Sequence, residues 1–287
     1  MSTPDPRRAI LAILLASLLY AGMGACVKAL AGEVPLAQVV LGRNIFALPV
    51  LLPLLLRQGR GGLRMRAPGL HAQRLVWGFI GMATAFHGYA HLPLATVTAL
   101  GFTMPLMLAL LAVPLLGERM ERARLLCAAL GFGGVLLMVR PDGGGAMAPS
   151  LVVLAGAFAW AMAMITIRRM GASGESGVAI VFWFSLGCAL VALAWSIPGW
   201  VWPTPRQWAL LAVVGFVAAF AQVLMTEAYR SAEPTLVAPF EYSAILWTTL
   251  LGVVVWADWP DGWDAAGVAV LVGAGLWLWR REAALRR

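Results

Sequence analysis

Charged residues are scarce in this sequence of 287 residues. They make up 12% of the chain, whereas hydrophobic residues make up 61%, and in a soluble domain roughly a quarter of the residues are charged. The mean hydropathy is +0.84. This composition excludes an ordinary soluble protein and predicts an all-α integral membrane protein, because helices of about 20 apolar residues cross the hydrocarbon core.

Cysteine and histidine are also scarce, with three residues of each. Cys26, Cys127 and Cys188 stand singly in apolar stretches without a CxxC pattern, so we expect no disulfide framework, no metal site and no cofactor. The motifs GxxxxGKS or GxxxxGKT, HExxH and GxSxG are all missing, which argues against an ATP-driven pump and against a hydrolase. A membrane enzyme without these motifs, or a scaffold that transports nothing, is the alternative of another class.

Ten apolar stretches follow one another along the chain. They cover residues 9–31, 36–56, 75–91, 94–116, 123–139, 151–167, 177–197, 208–229, 235–256 and 263–279. Seventeen of the 21 Lys and Arg residues fall at the two termini and in every second connection. An excess of Lys and Arg marks the cytoplasmic face. We therefore expect ten transmembrane helices with both termini in the cytoplasm, and a net charge of +8 that reflects topology and not nucleic-acid binding.

The second half of the chain repeats the first half at a constant offset of 140 residues. Tyr89–Arg140 falls without a gap on Tyr229–Arg280, and further back Lys28 falls on Arg168. Each copy holds five predicted spans, so the second copy enters the membrane from the opposite side. The sequence therefore predicts two inverted five-helix repeats, residues 1–143 and 144–287, an architecture that many secondary transporters share.

Polar side chains inside the predicted spans are the candidates for a substrate cavity, because such residues are costly in hydrocarbon. Arg43 and Glu241 are the charged candidates, and Gln222 and His87 are the neutral ones. Glu241 has four alternative roles: a salt bridge with Arg43, proton coupling, contact with a substrate cation, or local hydrogen bonding that only shapes the cavity. His87 is either a hydrogen-bonded core residue or a proton relay.

Aromatic residues at matched positions of the two halves are further cavity candidates, with packing as the alternative role. They are Tyr20 with Trp160, Phe102 with Tyr242, and Tyr89, to which Trp183 and Trp247 are added. Pro105 and Pro239 lie inside the fourth and ninth spans. Proline frees a backbone carbonyl within a helix, so these two residues are hinge candidates.

Short motifs in both halves resemble those of EamA domains in the drug/metabolite transporter superfamily. The first half contains His91-Leu92-Pro93-Leu94-Ala95, Leu116-Gly117-Glu118 and Gly131-Phe132-Gly133-Gly134-Val135, and the second contains Ala238-Pro239-Phe240-Glu241-Tyr242. The chain departs from the pattern at Trp256-Ala257-Asp258, where the family more often has a Gly-Glu pair.

The resemblance implies a multi-pass transporter of the bacterial inner membrane that works by alternating access. Relatives of this kind export amino acids, including aromatic ones, while others take up riboflavin or S-adenosylmethionine. We expect export of amino acids or related metabolites, with uptake of riboflavin or S-adenosylmethionine as the alternative. The expected partners are a small organic substrate, the lipid bilayer and, as a candidate coupling ion, the proton, but no nucleic acid.

Overall fold

In the part that the computed structural model describes, residues 6–57, 65–116, 122–139, 147–231 and 240–285, the chain folds into α-helices joined by short connections, with a 3-10 helix at Ile197–Gly199 and no β-strand. The helices are α1 (Pro6–Leu30), α2 (Leu36–Ile45), α3 (Leu48–Leu56), α4 (Pro68–His91), α5 (Leu94–Gly101), α6 (Met104–Leu116), α7 (Arg122–Val139), α8 (Met147–Ala172), α9 (Gly177–Ser196), α10 (Pro205–Ser231), α11 (Ser243–Trp256) and α12 (Gly262–Leu285).

Five of the helical stretches in the described residues are long and apolar enough to cross a membrane. They are Arg7–Leu30, Leu36–Leu56, Met147–Ala172, Gly177–Gly199 and Pro205–Met225. Shorter apolar helices occur at Leu94–Leu108, Ala129–Met138, Ser243–Trp256 and Gly262–Trp277. These helices are those of an all-α membrane protein, while the count of ten spans and the cytoplasmic termini stay predictions.

Two spans that the sequence predicts as continuous, the second and the fourth, are each broken into two helices, and the helix of the ninth span is interrupted at Tyr242. The second span breaks at Phe46 and Ala47, between α2 and α3. Pro49 in the first turn of α3 explains this break, because proline has no N–H to donate and its ring crowds the carbonyl four residues earlier. The fourth span breaks at Phe102 and Thr103, directly before the helix that contains Pro105.

The helices pack in pairs that follow the repeat. The most extensive contacts are those of α4 with α8, α1 with α10, α7 with α12, and α2 with α9. Under the offset of 140 residues, α4 corresponds to α10 and α8 corresponds to α1, so the first two pairs are images of each other. The helices α7 and α12 correspond to one another, as do α2 and α9. The two halves therefore interlock instead of folding side by side.

Glycine allows the closest of these approaches. A Cβ atom placed on Gly134 of α7 would lie 2.8 Å from the carbonyl oxygen of Gly267 on α12, and one on Gly267 would lie 2.6 Å from the carbonyl oxygen of Gly134. Small residues of this kind let helix backbones approach inside a bilayer, where no hydrophobic force drives helices together. The contact between α7 and α12 thus depends on two glycines, one from each half.

Large apolar side chains cover the outside of the helical bundle. Leu11 is 65% exposed, Leu246 is 70% exposed and Val254 is 72% exposed. Trp202 and Trp259, in two connections between helices, are 80% and 76% exposed. Lipid tails solvate such a surface, and tryptophan concentrates where membrane and water meet. The exposed surface is therefore that of a protein embedded in a bilayer.

Candidate functional site

Two of the predicted cavity residues are hydrogen-bonded to each other between the two halves, and two charged candidates are near enough to interact with them electrostatically. The hydroxyl of Tyr20 on α1 donates a hydrogen bond to Oε1 of Gln222 on α10, at 2.9 Å. The charges of Arg43 and Glu241 both act on the same hydroxyl. We call Tyr20, Arg43, Gln222 and Glu241 the central cluster. Its members come from four separate helical segments, two in each half of the chain.

The break after α2 positions Arg43. Asn44 is fully buried, donates to the carbonyl of Val40 at 2.7 Å and accepts a hydrogen bond from Nη1 of Arg43 at 2.9 Å. Arg43 lies in the last turn of α2, where backbone carbonyls without intrahelical partners give the helix end a partial negative charge that favours a cation. Local structure therefore holds a guanidinium group within the membrane.

Arg74 is a charged neighbour of this cluster that the sequence analysis did not select. Its position in the sequence predicts a charge at the cytoplasmic end of a span, yet its guanidinium carbon lies 3.9 Å from the ring centre of Phe184 on α9. Arg43 approaches the same ring, at 5.9 Å. The signal in the sequence was Gly78, one helical turn after Arg74, which leaves room for the arginine side chain along α4.

An aromatic contact joins two positions that correspond under the repeat. The rings of Phe102 and Tyr242 have centroids 4.8 Å apart, and both residues flank the helix breaks of their spans. Tyr89 packs against α1 at Gly24, where an added Cβ would lie 3.1 Å from the tyrosine ring. The Phe102–Tyr242 contact joins the two halves, whereas the contact of Tyr89 with Gly24 lies within the first half.

The other predicted site residues have surroundings of their own. His87 stacks on His91 with ring centroids 4.1 Å apart, Trp160 is 44% exposed, and Trp183 packs edge-on against Phe182 at 5.5 Å. The indole N–H of Trp247 is buried and has no hydrogen-bond acceptor in the described part of the chain. The two hinge candidates stay predictions, because Pro239 lies outside the described residues and so does the side chain of Pro105.

An ion pair joins the halves at one end of the bundle, which we call the Lys28 end. The ammonium group of Lys28, in the last turn of α1, pairs with the carboxylate of Asp258 after α11. It also donates to the carbonyl oxygen of Leu92 at 3.3 Å and lies 5.2 Å from the ring centre of Trp256. The Lys28 side chain therefore links the end of α1 to the α4–α5 connection and to the α11–α12 connection.

The opposite end, which we call the Glu175 end, has its own link between the halves. The carboxylate of Glu175 lies 3.3 Å from Nε2 of His71 and accepts hydrogen bonds from the backbone N–H groups of Ala67, at 3.0 Å, and Arg66. Burial alone raises the pKa of Glu175, but these hydrogen bonds and His71 together hold the pKa below its usual value. The ionised carboxylate therefore fastens the α8–α9 connection to the start of α4.

Two cavities open at the Lys28 end. One has a volume of about 110 Å³ and lies between α5, α11 and α12, with Thr96, Thr248 and Asp258 in its wall. The other has a volume of about 380 Å³ and is lined by Glu33, His87 and His91 among apolar residues. Within the described residues, no group of three or more His, Cys, Asp or Glu side chains is arranged to hold a metal ion.

Comparison with known proteins gives the family of this chain. The profile of the EamA-like transporter family matches residues 7–140 and again residues 147–280. The chain belongs to this family. The resemblance predicted from the sequence motifs is thereby confirmed, and the EamA match covers both halves, with its break in the connection between the two predicted repeats. This EamA protein is a transporter of the drug/metabolite superfamily, and not an enzyme.

Several characterised transporters are similar to this EamA protein over most of their length. The pseudopaline exporter CntI of Pseudomonas aeruginosa is 31% identical over 276 residues, which is 95% of this chain and 96% of the relative. The riboflavin transporter of Brucella anthropi is 29% identical, with 88% and 91% covered. The S-adenosylmethionine uptake transporter of Rickettsia prowazekii is 26% identical, with 84% and 82% covered.

A solved crystal structure shares the fold of this EamA protein. It matches with a TM-score of 0.66 over 95% of this chain and 98% of the solved chain, at 23% sequence identity. Because the identity is low, this likeness supports the arrangement of the helices alone. The central cluster and the contacts at the two ends are features of the present chain.

Proposed function

We propose that this protein is a secondary transporter of the bacterial inner membrane that exports amino acids, including aromatic ones, or related small organic metabolites. The observation that carries the proposal is the hydrogen bond between Tyr20 and Gln222, which joins the two halves inside predicted spans, with Arg43 and Glu241 near enough to interact with it electrostatically. Polar and ionisable groups inside a membrane mark substrate and ion pathways. A site at the interface of inverted repeats suits a transporter, because rocking of the two halves exposes that site to each side in turn.

The links at the two ends support alternating access. Lys28 and Asp258 join the halves at one end, and Glu175 joins them to Ala67 and His71 at the other. Each link consists of a few polar contacts between the halves, and these contacts are the ones that rocking of the halves would break and form again. In this proposal the Lys28 end faces the outside and the Glu175 end faces the cytoplasm, with ten spans in two repeats, residues 1–143 and 144–287.

The relatives support a small organic substrate and leave the direction to experiment. One relative is an exporter by name, at 31% identity, and another is an uptake transporter, at 26% identity. Uptake of riboflavin or S-adenosylmethionine is therefore the second candidate function. Proton coupling belongs to the same proposal, with Glu241 in the central cluster as the group that would carry the proton.

Flux measurements on purified protein in proteoliposomes test the proposal. Radiolabelled amino acids, riboflavin and S-adenosylmethionine are each supplied under inward and outward substrate gradients, with and without a pH gradient. We expect amino-acid flux above that of protein-free liposomes, and a dependence on the pH gradient if protons are coupled. Flux of riboflavin or S-adenosylmethionine alone would favour the second candidate, and no flux of any compound under either gradient would refute both.

A further inference from the structure

Arg74 points in a direction that its position does not explain. The helix α4 begins at the Glu175 end, where His71 meets Glu175, and Arg74 follows His71 by one turn. Long side chains on helices lean towards the helix N-terminus, and arginine near a membrane surface extends to the nearer water. Both tendencies would send Arg74 to the Glu175 end. Instead, its Nη1 atom lies over Gly78, one turn further into the bundle, in the space that a Cβ atom would fill.

Among the described residues, the guanidinium group of Arg74 contacts an aromatic ring and no carboxylate. It lies 3.9 Å from the ring centre of Phe184, and its Nε atom is buried with no hydrogen-bond partner among the described residues. A buried donor without an acceptor costs free energy, and a cation without a counter-charge costs more inside a membrane. Contact with an aromatic ring offsets part of this cost.

Arg43 approaches the same phenylalanine from another helix. Its guanidinium carbon is 5.9 Å from the ring centre of Phe184, and Asn44 fixes its orientation. Among the described residues that these contacts and electrostatic interactions connect, Arg43 and Arg74 are two guanidinium groups and Glu241 is one carboxylate. Two cations brought close together in a medium of low dielectric repel each other, so an added anion would stabilise them.

We infer that Arg43 and Arg74, whose guanidinium groups both approach the ring of Phe184, bind a carboxylate group of the substrate. Guanidinium matches carboxylate geometry with two parallel hydrogen bonds, and the ring offers apolar contact to the part of the substrate beside the carboxylate. The inference rests on the proposed function and narrows it to small organic acids and zwitterions. It predicts that neutral analogues of the same shape bind poorly.

Thermal stability of the full-length protein in detergent tests this inference, because a ligand of the native state raises the apparent Tm. The probes are phenylalanine, tryptophan, leucine and methionine, each paired with its amide, together with S-adenosylmethionine and riboflavin. We expect at least one carboxylate compound to raise the Tm while its amide does not. Arg43→Gln and Arg74→Gln should each weaken the binding of that compound about tenfold or more, the usual loss for hydrogen bonds to charged groups.

Three controls separate a binding role from a structural one. Arg57→Gln removes the same charge from an exposed position at the end of α3 and should leave binding unchanged. Arg74→Lys keeps the charge but not the planar group, and should also bind more weakly. Without ligand, Arg74→Gln should unfold at the wild-type temperature or above it, because it removes an uncompensated charge; a clear fall would instead assign Arg74 a packing role and overturn the inference.

The outcomes also separate this inference from the proposed function. Equal binding of acid and amide, or unchanged binding in both arginine variants, overturns the carboxylate site while transport in proteoliposomes can still stand. An arginine-dependent rise in Tm with added phosphatidylglycerol, and none with any amino acid, would assign the site to lipid phosphate and overturn the substrate role. No shift with any probe overturns the inference, and the flux measurement then decides whether the proposed function falls with it.

Discussion

The contact between α7 and α12 is sensitive to a single methyl group at Gly134. A Cβ atom at this position would lie 2.8 Å from the carbonyl oxygen of Gly267 and 3.3 Å from the backbone nitrogen of Leu271. Both are backbone atoms, so no side chain can rotate away. Ordinary contacts of Cβ atoms begin near 3.4 Å, and the two helices would have to separate by about 0.6 Å to restore that distance.

We expect Gly134→Ala to destabilise the protein through this overlap. Overpacking of a close contact costs about 1–3 kcal/mol, while replacing glycine by alanine within a helix returns about 1 kcal/mol. Gly133→Ala is the matched control, because a Cβ atom on Gly133 has no neighbour within 4 Å. The gain in helix propensity is the same for both variants and cancels, which leaves a difference of about 1–3 kcal/mol between them.

Thermal unfolding in detergent, followed by the fluorescence of the 13 tryptophans, measures this difference. For a chain of this size 1 kcal/mol corresponds to roughly 2–4 °C in Tm, so Gly134→Ala should melt several degrees below Gly133→Ala. Equal melting temperatures for the two variants would refute the close packing of α7 against α12, and with it the interlocked arrangement of the halves at this contact.

Three further predictions concern the contacts at the two ends and the central cluster. Asp258→Asn removes the partner of Lys28 and should raise the rate at which a membrane-impermeant maleimide labels the protein. Labelling reports on Cys26, because the other two cysteines are buried. The control Asp261→Asn should label at the wild-type rate, and equal rates for Asp258→Asn and wild type would contradict a role of the ion pair in limiting access at this end. Because the pKa of Glu175 is lowered in the folded protein, its carboxylate contributes a stability that is complete above the pKa in the unfolded chain, near 4.5, and is lost as the pH falls through the pKa in the folded protein. The Tm difference between wild type and Glu175→Gln should therefore shrink from pH 7 to pH 4. A Tm difference that stays constant would refute this stabilising role of Glu175. Tyr20→Phe should cost about 1 kcal/mol of unfolding free energy, and a double-mutant cycle with Gln222→Leu should show a coupling of similar size, whereas strict additivity would exclude the Tyr20–Gln222 hydrogen bond.

The family and the general class of fold follow from patterns that are local in the sequence. Apolar stretches identify membrane helices because a helix that crosses the hydrocarbon core needs mostly apolar side chains along the whole span. The constant offset between Tyr89–Arg140 and Tyr229–Arg280 indicated two related halves, and the family profile matches each of them. Pro49, at the start of α3, is a local signal for the break before that helix. The uninterrupted apolar stretch around it nevertheless predicts one continuous span.

The contacts of the candidate site depend on residues that are far apart in the chain. Lys28 meets Asp258 across 230 positions, and no local pattern selects that partner. Arg74 has the sequence position of a cytoplasmic-end charge, and its inward direction depends on Gly78 beside it and Phe184 on another helix. His87 is the opposite case to Arg74. Its position inside an apolar stretch predicts a place within the bundle, but it stacks on His91 at the Lys28 end.

Counterflow in proteoliposomes tests most directly the claim that this protein carries a small organic molecule by alternating access. Liposomes are loaded with a high concentration of an unlabelled amino acid and diluted into a trace of the same compound in labelled form. A carrier returns from each outward passage with labelled substrate, so we predict a transient accumulation of label inside above its equilibrium level. Label that only equilibrates, at the rate seen in protein-free liposomes for every amino acid tried, would contradict the account.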